Sequence, residues 1–163
     1  MGADEEHTVS LITSYRQLIA KLIKKHQGRV VDSPGDNILA EFGGAVNSVR
    51  SAVEIQAKLR KRNEDFPENR RMIFRIGINL GEVIPEDDDI YGDGVNIAAR
   101  VEALAAPGTI CISRSIHDQV KNKIDRQFEY LGEKEAKNIP EPLCIYRVLT
   151  ESGTALPARS KKL

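Results

Sequence analysis

The sequence has little from which to build a nitrogen and sulfur metal centre. It holds three histidines, His7, His26 and His117, and no two stand at ligand spacing, which argues against a zinc site. Its two cysteines, Cys111 and Cys144, lie far apart inside the short β-like runs TICIS and LCIYRVL. They read as buried free thiols in a reducing compartment. No excess of either charge is present: 24 Lys and Arg balance 24 Asp and Glu. That removes any general electrostatic reason to expect nucleic acid or an anionic membrane as a partner. No apolar run approaches the length that crosses a bilayer, and the N-terminus carries no signal peptide, so the expected location is cytoplasmic. Repeats and low-complexity segments are also missing.

What is there is 163 residues, the length of one ordinary domain with room for a real core. The expected layout is one domain over residues 1–150 and a disordered tail over residues 151–163, where the pattern gives way to polar, Pro-containing and basic chain. Met1–Glu6 is acidic and unpatterned. From His7 to Gln27, the residues Leu11, Ile12, Tyr15, Leu18, Ile19, Leu22 and Ile23 follow helical spacing. Thr8 is a candidate N-cap, Lys24, Lys25 and His26 suit the last turn, and Gly28 is placed to end the helix. Val30–Val31 and Ile38–Phe42 read as strands of a hairpin around Ser33–Asn37, all turn formers. A second helix runs from Ala45 to about Glu64, with Val46, Val49, Val53, Gln56 and Leu59 on one stripe. Arg50, Lys58, Arg60, Lys61 and Arg62 make it basic towards its C-terminal end, which reads as solvated and favourable to the helix dipole.

Met72–Val83 is expected as a strand, followed by a helix from Val95 and a stop at Pro107–Gly108. Thr109–Ser113 then reads as a strand and Arg114–Val120 as a short helix. Phe128–Leu131 and Leu143–Leu149 read as closing strands. The order α-β-β-α-β-α-β-(α)-β-β implies an α+β domain, a mostly antiparallel sheet with helices on one face.

The stretch Gly77–Arg100, GINLGEVIPEDDDIYGDGVNIAAR, carries the chemistry. Ile76, Ile78 and Leu80 alternate with Gly77, Asn79 and Gly81, as a strand with one apolar face requires. Glu86, Asp87, Asp88 and Asp89 form a charge run that no core can hold. Gly92 and Gly94 supply tight backbone ahead of Val95–Arg100. Asn96 and Arg100 stand four apart, hence on one helix face. An amide and a permanent cation beside a Gly-rich loop suit a nucleotide's sugar and phosphate; a solvated face with one Asn and one Arg is the plain alternative. Asp36, in the Gly-Asp-Asn of the hairpin turn, is by position an ordinary turn residue.

Five segments, GDNILAEF, RIGINLGEV, DIYGDGVNIAAR, APGTICIS and IPEPLCIYRV, resemble in order and spacing the class III adenylyl/guanylyl cyclase catalytic domains. The resemblance covers roughly Asp4 to Leu149. It implies a ferredoxin-like βαββαβ core with an added C-terminal hairpin. It also implies an intramolecular reaction, in which a ribose 3'-hydroxyl attacks the α-phosphorus and pyrophosphate leaves. Two divalent cations, magnesium or manganese, are implied, as is a head-to-tail homodimer with interfacial sites. By the same resemblance Asp36 is a metal ligand, Asn96 orients the ribose and Arg100 stabilises the transition state at the α-phosphate. Asp89 accepts from the purine's exocyclic amine.

Three departures from the family pattern stand out. The family's first strand, with the first metal aspartate, has no counterpart, because MGADEEHT resembles the segment leading into the first helix. The expectation is therefore an N-terminally truncated domain, nearly inactive alone. Asp32 occupies a substrate-contacting position where adenylyl cyclases place a lysine; a lysine donates to adenine N1, whereas a carboxylate only accepts. Cys144 stands where a basic residue commonly meets the terminal phosphates, with Arg147 three residues on. The expected function is a purine nucleotide cyclase, with ATP favoured over GTP and with possible flanking regulatory domains. The competing expectation is a non-catalytic cyclase-homology module for dimerisation or nucleotide-dependent regulation.

Overall fold

The computed structural model describes residues 2–31, 38–67, 71–80, 93–135 and 142–149, and the side chains of all of these except residues 2–11 and 93–96. It divides into two units, Met1–Ile73 and Phe74–Leu163.

In the first unit, helix α1 spans Gly2–Lys25 and helix α2 spans Ala45–Asn63. α1 starts before the expected His7. Tyr15, Ile19, Leu22 and Ile23 are buried along the expected stripe. They meet a stripe on α2 that includes Val49, Ala52, Ile55 and Leu59. Polar ties show the two helices to be antiparallel. Tyr15 donates to Asn63 Oδ1 at 2.6 Å near the end of α2, while Lys25 Nζ lies 2.9 Å from Glu54 Oε2 near its middle. Asn63 is buried yet fully engaged. Its Nδ2 donates to the Met72 carbonyl at 2.8 Å, and its Oδ1 also accepts from the Met72 amide at 3.2 Å. A buried amide so satisfied avoids the penalty of about 1–3 kcal/mol for an unpaired polar group.

The end of α1 departs from expectation. The left-handed position belongs to Gln27, at φ 67°, and Gly28 instead begins strand β1, Gly28–Val31. β1 pairs antiparallel with β2, Leu39–Phe42, with Gly28 opposite Phe42. A Cβ on Gly28 would lie 2.4 Å from Phe42 Cε2, so the glycine makes room for the ring. Arg29 and Glu41, also register partners, form an ion pair across the hairpin.

The second unit holds β3 (Ile76–Ile78), α3 (Asp93–Ala103), β4 (Ile110–Ser113), α4 (Arg114–Val120), β5 (Gln127–Lys134) and β6 (Leu143–Leu149). The strands form one sheet in the order β3-β4-β6-β5; β3 runs parallel to β4, and the other pairs are antiparallel. Buried on both sides, β4 reads as the continuous run Ile110-Cys111-Ile112-Ser113. Regular pairing of β3 covers three residues of the expected Met72–Val83; upstream, the Phe74 carbonyl accepts from Gly108 at 3.0 Å. β5 runs longer than expected by passing through a bulge between Tyr130 and Gly132, where Gly132 takes φ 97°. Val101 of α3 and Ala105, just beyond the helix, pack against Cys111, Leu143 and Ile145. On the alternate residues of β6, Tyr146 stacks with His117 of α4 at 3.8 Å between ring centres.

Two predictions follow from the first unit's helix ends. Gln27→Gly relieves a left-handed residue of its Cβ and is expected to raise stability by roughly 0.5–1 kcal/mol, read from urea midpoints. The Glu54 carboxyl is held below its ordinary 4.5 by hydrogen bonds from Lys25 and then His26. A lowered folded-state value means that this stabilisation is present above 4.5 and is lost as pH falls through the lowered value. Glu54→Gln is therefore expected to destabilise the protein at about pH 7 and to match the parent at about pH 3, checked by urea unfolding at both.

Candidate functional site

Helix α3 is the scaffold of the candidate site. It runs at both ends past the expected Val95–Arg100, so Asn96 and Arg100 share one face, one turn and about 6 Å of rise apart. The helix follows β3 in a β-α-β crossover to the parallel β4, and it approaches the sheet closely. A Cβ on Gly77 would lie 2.2 Å from the Glu102 amide nitrogen and 2.5 Å from its Cα. Only a glycine lets the last turn of α3 sit down on β3 in this way. Val101 is fully buried beneath the helix, and Arg100 beside it is half-buried. No ion pair joins Arg100 to a carboxylate among the described residues. The side chain of Asn96 lies outside the described residues, as do Asp32, Asp36 and Asp89 altogether.

A polar cluster that the residue pattern did not single out sits at the carboxyl ends of β3 and β4. Ser113 Oγ lies 2.9 Å from Ser115 Oγ, which donates to Asn79 Oδ1 at 3.4 Å. Ligand crevices favour the carboxyl ends of parallel strands, so this is the end of the crossover where chemistry is expected. The available signals were Asn79 on the polar side of its strand and the Ser-Arg-Ser that follows ICI. Both are common, and only the parallel register brings them together.

On β6, Cys144 is half-buried, and Arg147 forms an ion pair with its register partner Glu129 on β5. Arg147 is therefore already engaged within the sheet. Burial pushes the Cys111 thiol up to about 11, which makes it inert as a nucleophile near neutral pH. Among the described residues no group of three or more His, Cys, Asp or Glu could hold a metal ion. None of the described helices is long and apolar enough to cross a membrane.

Comparison with known proteins agrees with this architecture. A "Putative adenylate cyclase 3" of Rhizobium meliloti is 44% identical over 147 residues, 90% of this chain. The chain spans only 25% of that relative's length. The crystal structure of an adenylate/guanylate cyclase/hydrolase from Silicibacter pomeroyi superposes with TM-score 0.80 at 38% identity, over 93% of this chain and 88% of that one. The guanylyl cyclase Cya2 shares the fold at TM-score 0.73 and 24% identity, over 90% of this chain and 82% of that one. The α+β architecture is thus that of the nucleotidyl cyclase domains. Residues 3–148 match the adenylate and guanylate cyclase catalytic domain family, and the chain belongs to it.

Proposed function

We propose that this chain is the catalytic domain of a nucleotidyl cyclase. It converts a purine nucleoside triphosphate, ATP in preference to GTP, to the 3',5'-cyclic monophosphate and pyrophosphate. The observation that carries the reading is α3, which holds Asn96 and Arg100 on one face and is seated on β3 at Gly77. In the reaction the ribose 3'-oxygen forms a bond to the α-phosphorus and loses its proton. The bond from that phosphorus to the bridging oxygen of the β-phosphate breaks, and pyrophosphate leaves with the electron pair. Charge grows on the α-phosphate oxygens, where the planar fork of Arg100 donates two directed hydrogen bonds. The amide of Asn96 orients the ribose. Asp89 accepts from the exocyclic amine of the base, which suits adenine. Asp32 can accept from the N1–H and N2–H of guanine, so it is the residue at which base preference would shift. The relative at 44% identity, a putative adenylate cyclase, supports ATP.

Asp36 offers a hard carboxylate oxygen of the kind that magnesium and manganese take. Asp36 would help to hold the divalent cations, which when bound would supply neutralisation of charge on the triphosphate. A homodimer whose sites form between copies is part of the same reading. Relatives several times longer than this chain support flanking regulatory domains in the whole protein. The second reading is a cyclase-homology module that binds nucleotide without turnover. It is favoured by Asp32 and Cys144 at positions expected to contact substrate, and by the engagement of Arg147 with Glu129.

Formation of cyclic AMP and cyclic GMP from ATP and GTP with manganese is the test, in the 163-residue chain and in any longer protein that carries it. Arg100→Ala is expected to lower kcat about 100- to 1000-fold with the fold retained, and Arg100→Lys to recover only part of it. A folded dimer that binds nucleotide yet forms neither cyclic product would favour the regulatory module.

A further inference from the structure

A groove of about 580 Å³ runs between α1 and α2 in the first unit. Its walls are mainly cationic. Lys21 and Lys25 come from α1, and Lys58, Lys61 and Arg62 from α2, against the acids Glu54 and Asp65. Leu22, buried, contributes an apolar floor.

The helix pairing decides which of these charges are already used. Lys25 is on Glu54 at 2.9 Å. Arg62 is fixed by a 2.9 Å hydrogen bond to Ser14 Oγ and lies over the Tyr15 ring, 5.5 Å from its centre. Lys21, Lys58 and Lys61 have no carboxylate partner among the described residues. Lys21 stands one turn before Lys25, and Lys58 one turn after Glu54. The antiparallel register therefore sets Lys21 and Lys58 across the groove from each other, on one side of the same ion pair. The helix dipole accounts for cations in last turns, namely Lys24 and Lys25 of α1 and Arg60, Lys61 and Arg62 of α2. Lys21 and Lys58 stand before those last turns, so the dipole expected to favour Lys58 does not account for it or for Lys21. Like charges that face each other repel, and an anion between them turns that cost into a gain.

We propose that this groove is a second anion site, separate from α3, which takes the polyphosphate group of a small molecule bridged between Lys21 and Lys58. Lysine binds phosphate as a flexible point charge, so ammonium groups from two helices converge on tetrahedral oxygens without a fixed fork. Lys61 lies about one turn, roughly 5 Å, beyond Lys58, a span that a chain of two or three linked phosphates covers. The site draws on no residue assigned to cyclisation.

Calorimetric titration of the full chain with inorganic tripolyphosphate, in EDTA and at constant salt, tests the proposal. One saturable site is expected. Lys21→Glu and Lys58→Glu should each weaken it about tenfold or more, while Lys58→Arg stays within about threefold. Arg100→Ala should leave it unchanged, which separates this site from the cyclase reading. Both lysines are exposed, and matched circular dichroism of the variants confirms the fold. The proposal is overturned by non-saturable binding or by parent-like affinity in both charge reversals. Tighter binding of a hexaglutamate peptide than of tripolyphosphate would also overturn it and assign the groove to an acidic protein partner.

Discussion

The backbone of Glu102 packs directly on Gly77, and the candidate site depends on that close approach. The absence of a side chain on β3 brings the last turn of α3 within 2.2 Å of where a Cβ would stand. Hydrophobic burial of Val101 and Ala105 pulls the helix down, and Gly77 sets how far it can come. Asn96 and Arg100 ride on that helix, so their placement follows from a steric limit several residues away. An arginine one residue from a fully buried valine is aimed by packing as much as by its own rotamers, which is how a stable core lends precision to a donor.

The first unit is organised by a different constraint, the antiparallel register of α1 and α2. Two polar ties fix it, Tyr15 to Asn63 and Lys25 to Glu54, with apolar stripes between. Asn63 does more than link the helices. Its amide also holds both the N–H and the carbonyl of Met72, so it captures the chain after it leaves α2. Fixing this register has an electrostatic consequence: cations that would be independent on isolated helices become neighbours across a groove.

Much of the fold is legible in the residues because period and punctuation agree. Tyr15, Ile19, Leu22 and Ile23 recur at helical spacing and are buried; Pro107–Gly108 ends a helix, and Gly108 takes φ 80°. The boundaries of Arg114–Val120 and Leu143–Leu149 are as expected. What is not legible depends on partners distant in sequence. The left-handed residue after α1 is Gln27 because Gly28 is needed against Phe42, a contact with the far strand of the hairpin. β5 continues to Lys134 because β6 is long enough to pair with it through a bulge. At the site, the helix bearing Asn96 and Arg100 is readable from their spacing. The Asn79, Ser113 and Ser115 cluster is not, since it requires the parallel register of β3 and β4. Lys21 facing Lys58 is likewise a product of helix pairing and of no local pattern.

The central claim is that Gly77 positions the arginine that serves the α-phosphate. Gly77→Ala tests it most directly, with cyclic nucleotide formation measured at a temperature where circular dichroism shows the variant fully folded. The account predicts a fall in kcat of about tenfold or more, because a displacement of the helix by even ~1 Å moves Arg100 off its target. A folded Gly77→Ala protein that turns over at the parent rate would contradict it.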